Sequence, residues 1–150
     1  MTVQTSTGVL LAVVAAEPGT HDAAGFAALT FVAIGEVVNV PEYGASAQVV
    51  THEPLATGIT EKYKGFINYG SLAIELGHDS TDAGQVIIAA GVTGANKNVE
   101  HSFKLTYPDG AVDYWTGKFF SYTKNPGAAN SIVSSTAQVE INSTIVEVAA

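Results

Sequence analysis

The sequence predicts an α+β fold, mainly β: an antiparallel β-sandwich or half-barrel flanked by one short α-helix at about residues 80–91. Three observations predict it. Several segments alternate apolar and polar side chains, the period of a strand with one buried face. "SLAIELG" (Ser71–Gly77) puts Leu72, Ile74 and Leu76 on one side and Ala73 and Glu75 on the other. A tight hairpin signal, "YPDGA", joins two such segments: Pro108 presets the turn, Asp109 caps it, and Gly110 supplies the positive-φ position. One helical stretch, "HDSTDAGQVIIAAG" (His78–Gly91), lies between strand-like segments.

The elements follow in order. Val9–Ala15 reads as a buried strand and Glu17–Gly25 as a loop rich in turn formers. Thr30–Val40 is β-branched and reads as one strand with a bulge at Gly35, ended by "PEYGAS". Ala47–His52 is a further strand. "EPLATGITEKYKGFINYG" (Glu53–Gly70) shows no clear periodicity and reads as a long connection. Connections of that length inside a domain are usually functional. In the helix, Asp79, Ser80 or Thr81 accepts the free N–H groups and Asp82 adds favourable charge. Val86, Ile87 and Ala90, with Ala83, form its apolar stripe, and Gly91 or Gly94 stops it. Val99–Tyr107 alternates Phe103, Leu105 and Tyr107 against Ser102, Lys104 and Thr106. Ala111–Tyr122 is the return strand, Lys124–Ser131 a loop, and Ser135–Val148 a final alternating stretch.

Composition narrows the function. The 150 residues fit one domain, 1–150. A chain of this size buries roughly two-thirds of its unfolded surface, so it needs no disulfide or metal to fold. There is no Cys, which excludes thiolate chemistry and Cys-based zinc sites. The formal charge is −8, with six Lys and no Arg. Arg is the preferred bidentate partner of phosphate and of guanine edges, so a sequence-reading nucleic-acid binder is excluded. "GVLLAVVAA" (Gly8–Ala16) is too short to span a bilayer and has no basic residue before it, so neither a membrane span nor a signal peptide is expected.

Reaction chemistry is not visible. His21, His52, His78 and His101 lack metal-ligand spacing. No GxSxG elbow supports a Ser-His-Asp triad. "GVTGANKN" (Gly91–Asn98) lacks the GK[ST] of a phosphate loop and follows a helix. No catalytic residue, metal ligand or cofactor is nominated, and the chain is not expected to be an enzyme. What does need an account is the aromatic return strand. By alternation Tyr114, Phe120 and Tyr122 share one face and Trp115 and Phe119 the other. A strand with one wet face carries apolar residues on one side only. Either both faces are covered within the subunit, or one of them meets another copy.

Two stretches resemble the major tail tube proteins of long-tailed bacteriophages, the family of the phage lambda tube protein. "EKYKGFINYGSLAIEL" (Glu61–Leu76) is similar to a charged, aromatic loop that reaches a Gly and then an alternating strand. "FKLTYPDGAVDYWTGKFFSYTKN" (Phe103–Asn125) is similar to the family's aromatic-Pro-[Asp/Asn]-Gly hairpin and return strand. The likeness covers roughly residues 30–148. It implies a structural virion protein: six copies close into a ring, and rings stack into a hollow tail tube that delivers DNA. It implies a long assembly loop, about residues 41–70, with Tyr43, Thr57, Glu61, Lys62, Tyr63, Lys64 and Phe66 reaching a neighbouring subunit. The hairpin turn is Pro108, Asp109 and Gly110, and Tyr114, Trp115, Phe119 and Phe120 are core or interface aromatics. Implied partners are other copies of the chain and tail terminator, tape measure and distal tail proteins. DNA passes through the lumen without sequence-specific binding. The implied location is the virion tail, assembled in the host bacterial cytoplasm.

Two other classes compete. A carbohydrate- or surface-binding β-sandwich module would use the aromatics as an exposed stacking platform. A small β-rich hydrolase would need a cleft of convergent polar groups.

Overall fold

The computed structural model describes residues 3–150. Over them the chain runs β1 (Leu10–Val14), α1 (Ala23–Ala27), β2 (Val32–Ala33), β3 (Val37–Asn39), β4 (Ser46–His52), β5 (Glu61–Asn68), β6 (Ser71–Gly77), α2 (Ala83–Val92), β7 (His101–Thr106), β8 (Val112–Asn125), β9 (Ser134–Ile141) and β10 (Val146–Val148). The main sheet is antiparallel, in the order β2-β1-β7-β8-β9-β6-β3, with β10 also paired to β8. It curls into a half-barrel, so the fold is mainly β with few short helices, as the sequence predicts. β4 and β5 form a separate two-stranded sheet.

The curl has a local cause. Thr30–Val40 is not one bulged strand but two short ones at opposite ends of the sheet. β2 pairs with β1 through Ala12–Ala33 and Val13–Val32, while β3 pairs with β6 through Val37–Leu76. Between them Ile34 N–H donates to the Leu11 carbonyl (2.9 Å), and the Glu36 carbonyl accepts from Gly77 N–H (2.8 Å). Three residues thus carry the chain from the first edge of the sheet to the last. Glu36 sits at φ 60°, a left-handed conformation in which a non-glycine residue is uncommon.

Helix α2 locks this crossover. Its N-cap is Asp82, not a residue from Asp79 to Thr81, and it therefore starts later than predicted. One Asp82 carboxylate oxygen accepts both Gln85 N–H and Gly35 N–H, each at 3.0 Å. Gln85 is buried and uses all of its hydrogen-bonding capacity. Its Nε2 donates to the Gly35 carbonyl (3.2 Å) and the Gly77 carbonyl (2.9 Å). Its Oε1 accepts from Asp79 N–H and the Tyr122 hydroxyl, each at 3.0 Å. The helix lies close enough that a Cβ on Gly84 would stand 2.6 Å from the Ala33 carbonyl oxygen. Its buried face is accordingly Gly84, Gln85, Ile88 and Gly91, and the predicted stripe is displaced: Val86 is 52% exposed. Ten residues are marginal as an isolated helix, so seating on the sheet holds α2, and full burial of Ile88 contributes about 2–3 kcal/mol.

The concave face holds the core. Leu72, Ile74, Leu76, Phe103, Leu105, Trp115, Ala137, Val139 and Ile141 are buried there with Leu11, Val13 and Ile88. The hairpin turn forms as read: Gly110 sits at φ 97°, its N–H donates to the Tyr107 carbonyl (3.0 Å), and Ala111 N–H donates to Asp109 Oδ1 (3.0 Å). The final alternating stretch splits at Asn142–Ile145. β9 pairs with Gly117–Asn125 of β8, and β10 returns to pair with Val112–Tyr114 further along β8.

Facing along β8 differs from simple alternation. The ladder with β9 shifts between Phe119 and Ser121, so Phe120 is the extra residue of a bulge. Tyr122 therefore packs against the core with Trp115 and Phe119 rather than sharing a face with Tyr114 and Phe120. Tyr114 points to the other side of the sheet, where the predicted Glu17–Gly25 loop is partly helical. Asp22 caps α1 by accepting Gly25 N–H (2.7 Å), and buried Phe26 stacks on Tyr114 with ring centroids 5.2 Å apart. Both faces of this part of β8 are thus covered inside the subunit.

Gln85→Leu removes four hydrogen bonds while retaining volume. It is expected to lower unfolding free energy by about 3 kcal/mol or more in urea titrations, because backbone groups of Gly35, Gly77 and Asp79 lose their side-chain partner and the Tyr122 hydroxyl is left with only His78 and Ser135. A loss below roughly 1 kcal/mol would show that water satisfies those groups and that the crossover does not depend on them.

Candidate functional site

The segment from Glu53 to Gly70 is not an irregular connection: its second half is strand β5, which pairs with β4 to make an arm. Every residue of β4 is exposed, as is every residue of β5 except Gly65. Eight residues of strand give the arm a reach of roughly 25 Å. At its far end, Gly58 sits at φ 63° and its N–H donates to the Pro54 carbonyl (3.2 Å). The pairing shifts between Ala47–Ile67 and Val49–Lys64, which places a bulge on β5 around Phe66.

The two faces of the arm differ in chemistry. Register puts Ala47, Val49 and Thr51 of β4 beside Ile67, Lys64 and Lys62 of β5. This face carries both lysines of the arm and no acid. The opposite face carries Val50, Tyr63, His52 and Glu61, with the Tyr63 hydroxyl donating to Glu61 (2.9 Å). Phe66 is 88% exposed, and Leu55 and Ile59 are exposed in the connecting turn. Thr57, Glu61, Lys62, Tyr63, Lys64 and Phe66, the residues nominated from the sequence, all lie exposed on this arm. Val49, Val50, Leu55, Ile59 and Ile67 were not nominated. The signal for them was the absence of periodicity itself: a strand with water on both sides has no face on which apolar residues must collect.

Tyr43 is different from the rest of that set. It is half-buried at the root of the arm rather than reaching out along it. Its ring lies 5.1 Å from that of Trp115. Its hydroxyl donates to Asp113 Oδ2 and lies 2.5 Å from the Tyr107 hydroxyl, which also donates to Asp113 Oδ2 (3.1 Å). Burial, then the hydrogen bond to Asp113, pushes the Tyr43 hydroxyl far above the usual phenol range; burial likewise raises Tyr107. Both phenols stay protonated and act as donors, so the cluster fixes the arm's root to the hairpin. Beside it an open groove of about 550 Å³ is lined by Val40, Tyr69 and Ile145 and by the acidic Glu42, Asp113 and Glu147. No Lys lines it.

The hairpin aromatics do not form an exposed platform. Tyr114, Trp115 and Phe119 are buried, and only Phe120, 62% exposed, faces water. The histidines lie apart. Exposed His21 bonds Thr144 through Nε2, His52 is exposed on the arm, and half-buried His78 reaches the Tyr122 hydroxyl (3.3 Å). Among the described residues no three His, Cys, Asp or Glu side chains stand together as a metal set. His101 is fully buried, edge-on to Phe119 at 5.1 Å, with Nδ1 bonded to the Val99 carbonyl (2.9 Å). Its Nε2 has no hydrogen-bond partner among the described residues. Burial holds its pKa below 6.5, outweighing the Val99 carbonyl and Glu100, which favour the charged form.

The whole chain shares its fold with components of phage-tail-like assemblies. One match is a chain in the tail of an empty gene transfer agent particle, with a TM-score of 0.68 and 14% identity over 98% of this chain and 100% of that one. Another is a chain in the baseplate of the anti-feeding prophage, with a TM-score of 0.66 and 10% identity over 99% and 97%. A third comes from the PVC sheath/tube terminator of an extracellular contractile injection system, with a TM-score of 0.67 and 11% identity over 99% of each chain. At these identities the likeness is one of fold. No family model matches the sequence, and no curated protein matches it.

A neutral His101 gives a signed pH dependence. Its folded pKa lies below the unfolded value of 6.5, so its contribution is fully present above about pH 6.5 and is lost as pH falls towards the folded pKa. Unfolding free energy is expected to drop between pH 7 and 5, and His101→Leu to flatten that drop. Equal slopes in the two proteins would show that His101 is not the responsible group; exposed His52→Leu is the control.

Proposed function

We propose that this chain is a structural subunit of a tail-like tube: copies join into six-membered rings, and the rings stack around a channel that carries DNA. One observation carries the reading. The subunit satisfies its core without the β4–β5 arm, yet the arm displays Val49, Leu55, Ile59, Phe66 and Ile67 to water. Isolated exposed apolar residues are ordinary, but a concentration of them on one projecting element marks an interaction surface. The matched folds support it, since they come from tail and tube-terminator assemblies, including a tail of C6 symmetry. A head-to-tail contact between copies closes into a ring when its rotation allows, and stacking then extends it.

The role in this reading is structural, and the likeness to tail and tube-terminator components supports it. Passing DNA needs a wall that does not hold it. Basic contacts accumulate strongly along a duplex, and a chain of net charge −8 without Arg avoids them. The narrower placement among tube proteins of long-tailed phages rests on Glu61–Leu76 and Phe103–Asn125. With it come the expected terminator, tape measure and distal tail partners, and the virion tail as location after assembly in the host cytoplasm.

Negative-stain microscopy of concentrated protein is expected to show rings or hollow tubes. A variant with Ser46–Asn68 replaced by a short Gly/Ser linker is expected to keep the wild-type thermal unfolding midpoint within a few degrees and to lose those assemblies. Wild-type protein that stays monomeric at all concentrations, alone and with the other tail proteins, would overturn the reading. An armless variant that still builds normal tubes would remove the arm from it.

A further inference from the structure

We propose that the lysine-bearing face of the arm docks in the acidic groove at the arm root of a second copy. This rests on the tube reading and adds the acceptor surface. The donor face presents Ala47 and Ile67 near the root, Val49 directly beside Lys64, and Lys62 beside Thr51 further out. The acceptor groove is lined by Val40, Tyr69 and Ile145 together with Glu42, Asp113 and Glu147. Apolar surface meets apolar surface, and two ammonium groups meet three carboxyl groups.

Charge argues for this pairing over others within the molecule. From Ser46 to Asn68 the arm carries Glu53 and Glu61 against Lys62 and Lys64, so it is neutral. The whole net charge of −8 therefore falls on the rest of the chain. Two such bodies repel, and association is favoured where a basic face meets an acidic one. Glu61 does not spoil the donor face, because it lies on the opposite side, tied to Tyr63. The occupant is a second copy rather than the chain's own arm. The groove is lined by the arm's root at Gly44, Ala45 and Tyr69, and by no residue from Ser46 to Asn68. An arm leaving that root carries Lys62 and Lys64 away from its own groove. Donor and acceptor are different patches of one chain, so the contact propagates from copy to copy.

A charge swap tests it. Lys62→Glu with Lys64→Glu, and separately Glu42→Lys with Glu147→Lys, change only exposed side chains, so thermal unfolding should stay close to wild type. Each double variant is expected to raise the critical concentration for assembly at least about tenfold, as read by sedimentation and negative stain. Mixing the two variants leaves every like-sequence contact repulsive and restores pairing only between unlike copies. The chain carrying all four changes restores it throughout and is expected to assemble within about threefold of wild type. The swap is more informative than a salt titration, because salt screens the body–body repulsion and the arm–groove attraction together. Normal assembly of either double variant, or no rescue in the fourfold variant, would overturn the docking. Wild-type protein that never associates would instead remove the tube reading and this inference with it.

Discussion

A sheet whose two ends are joined by three residues cannot stay flat. Ile34, Gly35 and Glu36 carry the chain from the β1 edge to the β6 edge, and the remaining strands must curve to let them meet. Such a crossover exposes backbone groups that neither edge can satisfy, and Asp82 and Gln85 supply the missing partners. The Asp82 carboxylate that accepts Gly35 N–H also caps helix α2 through Gln85 N–H, so one set of hydrogen bonds fixes curvature and helix position together. Once α2 is seated, Ile88 closes the concave face and the positions of Trp115 and Phe119 follow. Removing this node would leave buried carbonyl and N–H groups unpaired, each costing about 1–3 kcal/mol, which is comparable to the net stability of many domains.

The long β8 strand spends its aromatics on that arrangement. Trp115, Phe119 and Tyr122 face inward, and Tyr114 is covered by Phe26 of α1. With those rings engaged, half of the large exposed apolar side chains lie on the arm, and the others, among them Leu10, Val38, Phe120 and Ile132, are spread over the rest of the described residues. Tyr43 links the two regions, since its ring packs on the core tryptophan and its hydroxyl anchors the arm root to Asp113. The arm is thereby aimed by the core although no part of the core covers it.

Local chemistry made much of the fold legible. Pro108, Asp109 and Gly110 dictate a turn whatever surrounds them, and alternation in Ser71–Gly77 marks the inward face correctly. Other features depended on partners distant in sequence. Nothing in Thr30–Val40 says that its halves pair with different strands, because β-branched residues suit either end of a sheet. The Phe119–Ser121 bulge shifts parity by one residue, so a reading by alternation misassigned Tyr122. On α2, glycines and a buried Gln form the seated face, because close approach selects small residues and the crossover needs an amide; hydrophobicity alone pointed to Val86. For the candidate site, the long segment stood out but its strand did not, since β5 has no buried side to impose a period. Tyr43 was grouped with the arm by position, whereas its role at the root depends on Tyr107 and Asp113, more than sixty residues away.

The arm also bears on how such a chain behaves before it meets another. A two-stranded ribbon with water on both faces gains little from its own pairing and is marginally stable at best. In the proposed assembly its order is completed by a neighbouring copy, and ordering on contact typically costs about 2–5 kcal/mol of the gross interaction energy. In the proposed tube the first encounter bears that cost with few contacts to offset it, whereas a copy adding to an existing ring meets several surfaces at once. The proposed tube therefore has a concentration threshold above which growth outruns initiation, set by an element that adds little to the stability of one molecule.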